Sequence, residues 1–259
     1  MKSKRLLNIA IFLYAITGQS CISIKQSAYN SNYQAPLEIG TCKINSTGAV
    51  HMNIFGLIKT DFIPASIKIE SAGQTIYCDP LVINDTTKAD YIFITHTHPD
   101  HFSKKDIKKL ADSETVLVGP VNIPKNYKKG NFIQAEIGKT IRHKHIQFQA
   151  VESYNLESKI HKPGNKFVGY VIAVDSVNIY IAGDTDYIPE MNSLKNITVA
   201  ILPIGEGNTA MNPASAAKAA NAIKPAMIIP IHYELNQNRE KQFLDSLQSD
   251  IRAVIFTEY

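Results

Sequence analysis

The stretch FITHTHPDHF, Phe93 to Phe102, restricts this chain more than any other part of it. Three histidines and an aspartate (His96, His98, Asp100, His101) crowd into six positions, directly behind an apolar run that reads as a buried strand. A helix would place cooperating side chains at i and i+4, and Pro99 would break it, so the segment reads as a loop leaving the strand YIFI. On such a loop His96 and His98 can converge on one point while Asp100 and His101 face a second point nearby. Four groups of this kind at a strand end are costly to desolvate unless a cation compensates them. Imidazole and carboxylate are borderline-hard donors suited to zinc, manganese or ferrous iron, and no thiolate in the segment favours a soft ion.

The rest of the chain indicates where that loop sits. Short β-branched or aromatic runs (VHMNIFG, ASIKIES, QTIYCDP, DYIFITH) are followed by SKKDIKKLADS, a helix with Ser103 as N-cap and Ile107 and Leu110 on its buried side. TVLVGP is another strand, and NFIQAEIG to VNIYIAGDTD is a run of strands with hairpin-like breaks. In the last third, strands TVAILPIG, AMIIPIHY and RAVIFTEY alternate with helices NPASAAKAANAIK and NREKQFLDSLQ. With 259 residues, 44% of them hydrophobic, and no linker between these parts, one α/β domain is expected: two packed sheets with helices outside.

Three more polar residues end apolar strands: Asp79 after TIYC, Asp184 after IYIAG and His232 after MIIPI. Ligands at the ends of several strands are how α/β sites are assembled. Taken singly, Asp79 before Pro80 also suits a turn, and Asp184 also suits a cap for the segment near Ile188.

With these residues in view, the chain resembles the metallo-β-lactamase fold superfamily of metal-dependent hydrolases, from about Val50 to Tyr259. THTHPDH matches the superfamily's HxHxDH hallmark, Asp79 its early aspartate, Asp184 its bridging carboxylate and His232 its late histidine. DTDYIPEM and KFVGYVIAV look like the branch related to ascorbate-phosphate lactonases and phospholipase-D-like zinc hydrolases. The resemblance implies a four-layer αββα sandwich carrying two divalent ions, zinc first, with manganese or iron as alternatives. It places His96 and His98 on one ion, Asp100, His101 and His232 on the other, and Asp184 between them. Asp79 would orient a ligand histidine, and Asp100 would also orient or deprotonate the attacking water.

The chain departs from the family at one place. A histidine is expected after the long middle strand, but FQAVESYNLES ends at Asn155, and the next imidazole is His161 in KIHKPGNKF. Either Asn155 ligates through its amide oxygen, His161 reaches back to replace the missing nitrogen, or one site is depleted. His161 is favoured because its Pro-Gly loop can reach the site; the plain alternative is a solvated loop residue. His51, His143 and His145 receive no ligand role.

The implied reaction is metal-assisted hydrolysis of a small ester, lactone or phosphodiester. The competing reading is a metal- or ligand-binding lipoprotein that keeps the fold but turns over weakly. Lys104, Lys105, Lys108, Lys109, Lys125, Lys128 and Lys129 could draw an anionic substrate, although with Asp106 and Asp112 they also read as a solvated charged face. Backbone amides of GEGNTAMNP, Gly205 to Pro213, are placed to line the pocket.

The N-terminus adds a location. Lys2, Lys4 and Arg5, an apolar stretch from Leu6 to Ile16 and small or polar residues up to Cys21 have the layout of a signal peptide over 1–20. The site before Cys21 resembles a bacterial lipoprotein cleavage site, with Gly18 where a leucine is usual, so Cys21 is the expected lipid attachment and the cell envelope, facing the periplasm, the expected compartment. Residues 21–48 then read as a tether and first edge element, and 49–259 as the catalytic domain. Of the formal charge of +4, three positive charges lie before Cys21, which leaves +1 and little footing for nucleic acid. Cys42 and Cys78 are too few for a disulfide framework, and Cys78 reads as a buried thiol.

Overall fold

A computed structural model describes residues 22–27, 35–207 and 209–256. The expected signal segment 1–20 and Cys21 lie outside them.

The first large sheet contains β2 (Leu37–Ile39), β3 (Cys42–Ser46), β6 (Ile67–Ser71), β7 (Gln74–Cys78), β8 (Tyr91–Phe93), β9 (Val116–Gly119) and β10 (Phe132–Gln134), in the order β10-β9-β8-β7-β6-β3-β2. The second contains β11 (Thr140–His143), β12 (Ile146–Glu152), β13 (Val168–Val174), β14 (Val177–Ile181), β15 (Val199–Pro203), β16 (Met227–Ile231) and β18 (Arg252–Ala253), in chain order. A smaller sheet, β1-β4-β5-β17, is built from β1 (Ile22–Gln26), β4 (Val50–Ile54), β5 (Ile58–Ile63) and β17 (Tyr233–Glu234). Alternation of strands and helices makes β14, β15, β16 and β18 parallel, as crossover connections require.

Alternate residues of the two large sheets face each other and form the main core. Ile67, Ile69, Ile76, Cys78, Tyr91 and Phe93 meet Phe148, Tyr170, Ile172, Ile179, Ile181 and Ile201, all buried. Phe93 sits edge-on to both Phe148 and Tyr170, each at 5.0 Å between ring centres. Helix α1 (Lys104–Leu110) covers the outer face of the first sheet with Ile107 and Leu110. Helix α2 (Pro213–Ile223) lays Ala216, Ala217, Ala219, Ala220 and Ile223 on the second, where it is joined by Phe243 of α3 (Arg239–Ser246). Four layers, αββα, result. No helix among the described residues is long and apolar enough to cross a membrane.

Local readings differ from the structure at three places. Asp106 does not belong to a solvated charged face: it is buried, and its carboxylate accepts the backbone N–H groups of Val82 and Ile83, each at 2.9 Å. The final strand is only Arg252–Ala253, with 257–259 outside the described residues. In 21–48, read as a tether and first edge element, β2 and β3 do form one edge of the first sheet, but Ile22–Gln26, at the tether end, pairs with β4. Cys42 and Cys78 are buried free thiols.

Candidate metal centre

The site lies where parallel strands of both large sheets end along one edge. Asp79 follows β7, and His96 to His101 follow β8; Asp184 follows β14, and His232 follows β16. Carboxyl ends of strands in two facing sheets thus converge, the usual place for an α/β site.

The first shell of order is a set of hydrogen bonds around Asp79. Its carboxylate accepts the Thr95 N–H at 2.8 Å, the Thr95 hydroxyl at 2.6 Å and His101 Nδ1–H at 2.8 Å. Because the Thr95 hydroxyl donates to Asp79, its oxygen is left to accept from His96 Nδ1 at 3.0 Å. Both rings are therefore pinned through Nδ1 and turn Nε2 toward the interior. On the opposite side, Ser153 Oγ bonds the carbonyls of Ala182 (2.9 Å) and Asp184 (3.0 Å), fixing the turn that presents Asp184.

His232 is presented by strained backbone. Its φ of 52° is left-handed, an unfavourable conformation for a residue with a Cβ. Its carbonyl oxygen lies 2.2 Å from where a Cβ on Gly205 would be, so only glycine fits there. The amide of Glu206 is occupied by the Met211 carbonyl at 3.0 Å, and Glu206 pairs with Arg239, so this part of the Gly205–Pro213 loop is braced. Asn208 lies outside the described residues.

The structure draws the strand-end residues into three overlapping donor groups: His96, His98 and His161; His96, His101 and Asp184; Asp100, His101 and His232, each with ligand atoms within 4.8 Å of one another. His98 Nδ1 faces His161 Nε2 at 3.0 Å, and His101 Nε2 faces His232 Nε2 at 3.3 Å. Two nitrogens on one tetrahedral ion at about 2.05 Å would be roughly 3.3 Å apart. Asp184 Oδ1 is 3.3 Å from His101 Nε2 and 3.6 Å from His232 Nδ1, while Oδ2 is 4.0 Å from His96 Nε2. Asp100 Oδ2 is 3.3 Å from His232 Nε2. His96 Nε2 and Asp184 Oδ1 are buried and make no hydrogen bond. The donor set, its spacing and these orphaned atoms fit divalent cations.

His161, open between a ligand and a solvated loop residue in the sequence, is buried and faces His98. Asn155 is buried beside it and donates its backbone N–H to the His161 carbonyl at 2.7 Å; neither atom of its side-chain amide makes a hydrogen bond. Of the other histidines, His143 is engaged with the Tyr91 hydroxyl at 2.7 Å and His51 with Asp61 at 3.2 Å, while His145 is exposed. Thr95, Ser153 and Phe167 have no part in the sequence reading of the site. Phe167 packs on His96, His98 and His161 with ring centres 4.8 to 5.7 Å away. Only the position of Thr95, just before the first histidine, could have marked it. Of the lysines, Lys109 bonds the Ile83 carbonyl and Lys128 that of Val121, bracing the surface beyond the site.

Charge is divided unevenly across the centre. Burial holds His96 well below its ordinary value, helped by His101 and His98, lowers His98, and pushes His161 down to about 4. For His101, burial is outweighed by Asp184, Asp100 and Asp79, and for His232 by Asp184 and Asp100, so both are raised. Asp100 and Asp184 are held below the carboxylate range because His101 and His232 outweigh their burial. The metal-free protein is therefore expected to lose stability on acidification from about pH 6.5 to 4. In that window unfolded imidazoles take up protons before folded His96, His98 and His161 do, because burial lowers all three. His101 and His232, raised in the fold, oppose this only near pH 6.5, where their unfolded counterparts still titrate, and leave the slope unchanged well below it; the lowered carboxylates add the same sign at the acid end. Each neutral ring contributes up to about 1.4 kcal/mol per pH unit. Denaturant titrations of chelated protein across the window check this; a flat or rising midpoint would contradict it.

The beta-lactamase superfamily domain model matches residues 62–232, from the strand beside the site to its last histidine. The chain belongs to the beta-lactamase superfamily. Within the superfamily it is similar to a UPF0173 metal-dependent hydrolase of Caldivirga maquilingensis, 28% identical over 211 residues, 74% of this chain and 91% of the relative. A crystal structure from Parabacteroides distasonis, assigned as a metal-dependent hydrolase, is 28% identical, with a TM-score of 0.68, covering 88% of this chain and 100% of that one. The metallo-beta-lactamase fold protein YhfI of Bacillus subtilis shares the fold at 13% identity, with a TM-score of 0.62 over 84% of this chain and 97% of that one. This superfamily member is thus a metal-dependent hydrolase with an αββα sandwich, and its His/Asp groups are suited to a divalent metal.

Proposed function

We propose that the chain hydrolyses a small ester, lactone or phosphodiester at a pair of divalent ions, zinc by its nitrogen-rich donor set. One observation carries the reading: the three donor groups overlap, His96 belonging to two and His101 to two, with Asp184 in the group between. That is the arrangement expected of two adjacent cation sites sharing a carboxylate. His96, His98 and His161 would hold one ion and Asp100, His101 and His232 the other, with Asp184 bridging.

Such ions, when bound, acidify a water and polarise the scissile group. The chain's own part is positional. Asp79 and Thr95 set the tautomers of His101 and His96. The Asp100 side chain, 28% exposed, has the most solvent access of the carboxylates here. Held ionised, it orients the attacking water and accepts its hydrogen bond. Phe167 keeps the histidine side dry. The net charge of +1 after Cys21 favours a small substrate over a long polyanion. The layout of residues 1–21 supports export and a lipid anchor at Cys21 on the periplasmic side.

Elemental analysis of the metal-replete protein is expected to find two equivalents of zinc or manganese, and a panel of simple lactones and phosphodiesters a hydrolysed member whose turnover is lost in His98→Ala. One equivalent with no turnover on the panel would overturn the proposal in favour of a binding protein. His161→Ala is expected to weaken metal binding by roughly tenfold or more; unchanged affinity and stoichiometry would remove His161 from the ligand set.

A further inference from the structure

The small sheet links the metal centre to an apolar point on the surface. At one end β5 pairs with β17 through Ile63 and Tyr233, directly after His232, and the Phe62 ring stands edge-on to His232 at 6.3 Å. At the other end β4 and β5 turn through Phe55, Gly56 and Leu57. Five strand residues separate the two ends, about 17 Å.

The tip is an unusual choice of residues for water. Leu57 is 81% exposed and Phe55 38%. Phe55 and Gly56 both have positive φ, 54° and 71°. Such turns favour asparagine or aspartate before glycine, and a bulky ring there is disfavoured. An exposed aromatic kept in a costly conformation points to a use for the ring itself.

Two further observations indicate what the tip meets. β1 runs antiparallel to β4 with Ile22 opposite Ile54, so the chain enters the sheet beside the tip. Cys21 immediately precedes Ile22, and one residue spans only about 3.8 Å. In addition, no acidic residue occurs in 22–27 or 49–60, whereas Lys25 and Lys59 are exposed and have no ion pair among the described residues. The edge is apolar at its point and cationic behind it, the composition of a surface that enters an anionic bilayer interface.

We propose that the β4–β5 tip, with the start of β1, is a membrane-contact edge that seats Phe55 and Leu57 in the lipid interface and holds the metal centre about 17 Å above it. The inference rests on the lipid-anchor reading: acyl chains on Cys21 would leave no slack, so the tip must reach the same interface. It adds to the anchor a second contact that fixes how the domain sits on the surface.

The chain contains no tryptophan, so Phe55→Trp introduces a single reporter. The full chain, expressed with its own N-terminus in a bacterial host, is mixed with phosphatidylethanolamine–phosphatidylglycerol vesicles carrying brominated acyl chains, and mass spectrometry reads acylation at Cys21. The indole of Phe55→Trp is expected to shift to the blue and be quenched by bromine, whereas that of Ile137→Trp, an exposed position on the second large sheet's side, stays unchanged. Leu57→Asp is expected to reduce vesicle partitioning by roughly tenfold while metal content and hydrolysis in solution are retained. Acylated, vesicle-bound protein whose Phe55→Trp indole remains open to aqueous iodide would overturn the proposal and leave the anchor standing. Unacylated protein whose indole still enters the bilayer would support the tip and remove the anchor. Shielding from iodide without vesicles, growing with protein concentration, would mark contact between copies and also overturn it.

Discussion

Asp184→Ala is expected to remove at least one equivalent of metal and lower kcat/KM on the order of a thousandfold. Activation by ions of this kind supplies several kcal/mol, and each ~1.4 kcal/mol is a factor of ten. Asp184 is buried, with Oδ1 facing His101 and His232 and Oδ2 facing His96, so its loss affects the whole centre. It also favours a proton on His101 and His232. Without it those rings release protons more readily while losing the carboxylate that would share an ion with them. Asp184→Asn keeps the shape and removes the charge, so it should lose nearly as much activity while folding normally. Elemental analysis beside turnover on a substrate that the parent hydrolyses checks both variants. Full metal content with rates within tenfold of the parent would exclude Asp184 from the centre.

The second large effect is expected at a residue that need not touch an ion. Asp79 is buried and satisfies the Thr95 amide, the Thr95 hydroxyl and His101 Nδ1 at once. Asp79→Ala frees the His101 ring to rotate and leaves a buried N–H unpaired. Metal affinity should fall 10- to 100-fold, and stability by about 2–4 kcal/mol. Asp79→Asn divides the two roles. Its amide oxygen still accepts from Thr95, so most stability returns, whereas an NH₂ facing His101 disturbs the tautomer and metal affinity stays low. Denaturant midpoints and competition with a chelator read the two quantities separately. Unimpaired affinity in Asp79→Ala would show that His101 is oriented by something other than this carboxylate.

The parts of the site visible in the sequence are those where side-chain chemistry and strand ends coincide. Apolar runs ending in His96, Asp184 or His232 are legible because a strand buried on both faces leaves a polar residue nowhere to go except its end. The αββα layering follows from alternating strands and helices in the last third, with Ala216, Ala217 and Ala220 marking the face that α2 buries. His161 was not decidable in the same way. Whether a Pro-Gly loop folds inward depends on what it packs against, here Phe167 six residues on and the His96 ring, which is distant in sequence. Asp106 misled for a related reason: among lysines it reads as solvated, but backbone N–H groups from Val82 and Ile83 need an acceptor at that spot. The Ser- and Asn-rich segment 22–48 carries strands with weak propensity because neighbours β4 and β6 supply the pairing.

The donors on opposite sides of the centre come from different halves of the sandwich, His96 to His101 from one large sheet and Asp184 and His232 from the other. The pocket therefore does not exist until the two sheets have closed on each other. Which ion is taken up is then decided in the compartment where the chain folds, by what is abundant there, more than by intrinsic affinity. A bound ion also acts as a rivet between the halves, so chelation should loosen the whole sandwich along this edge as well as silence the chemistry.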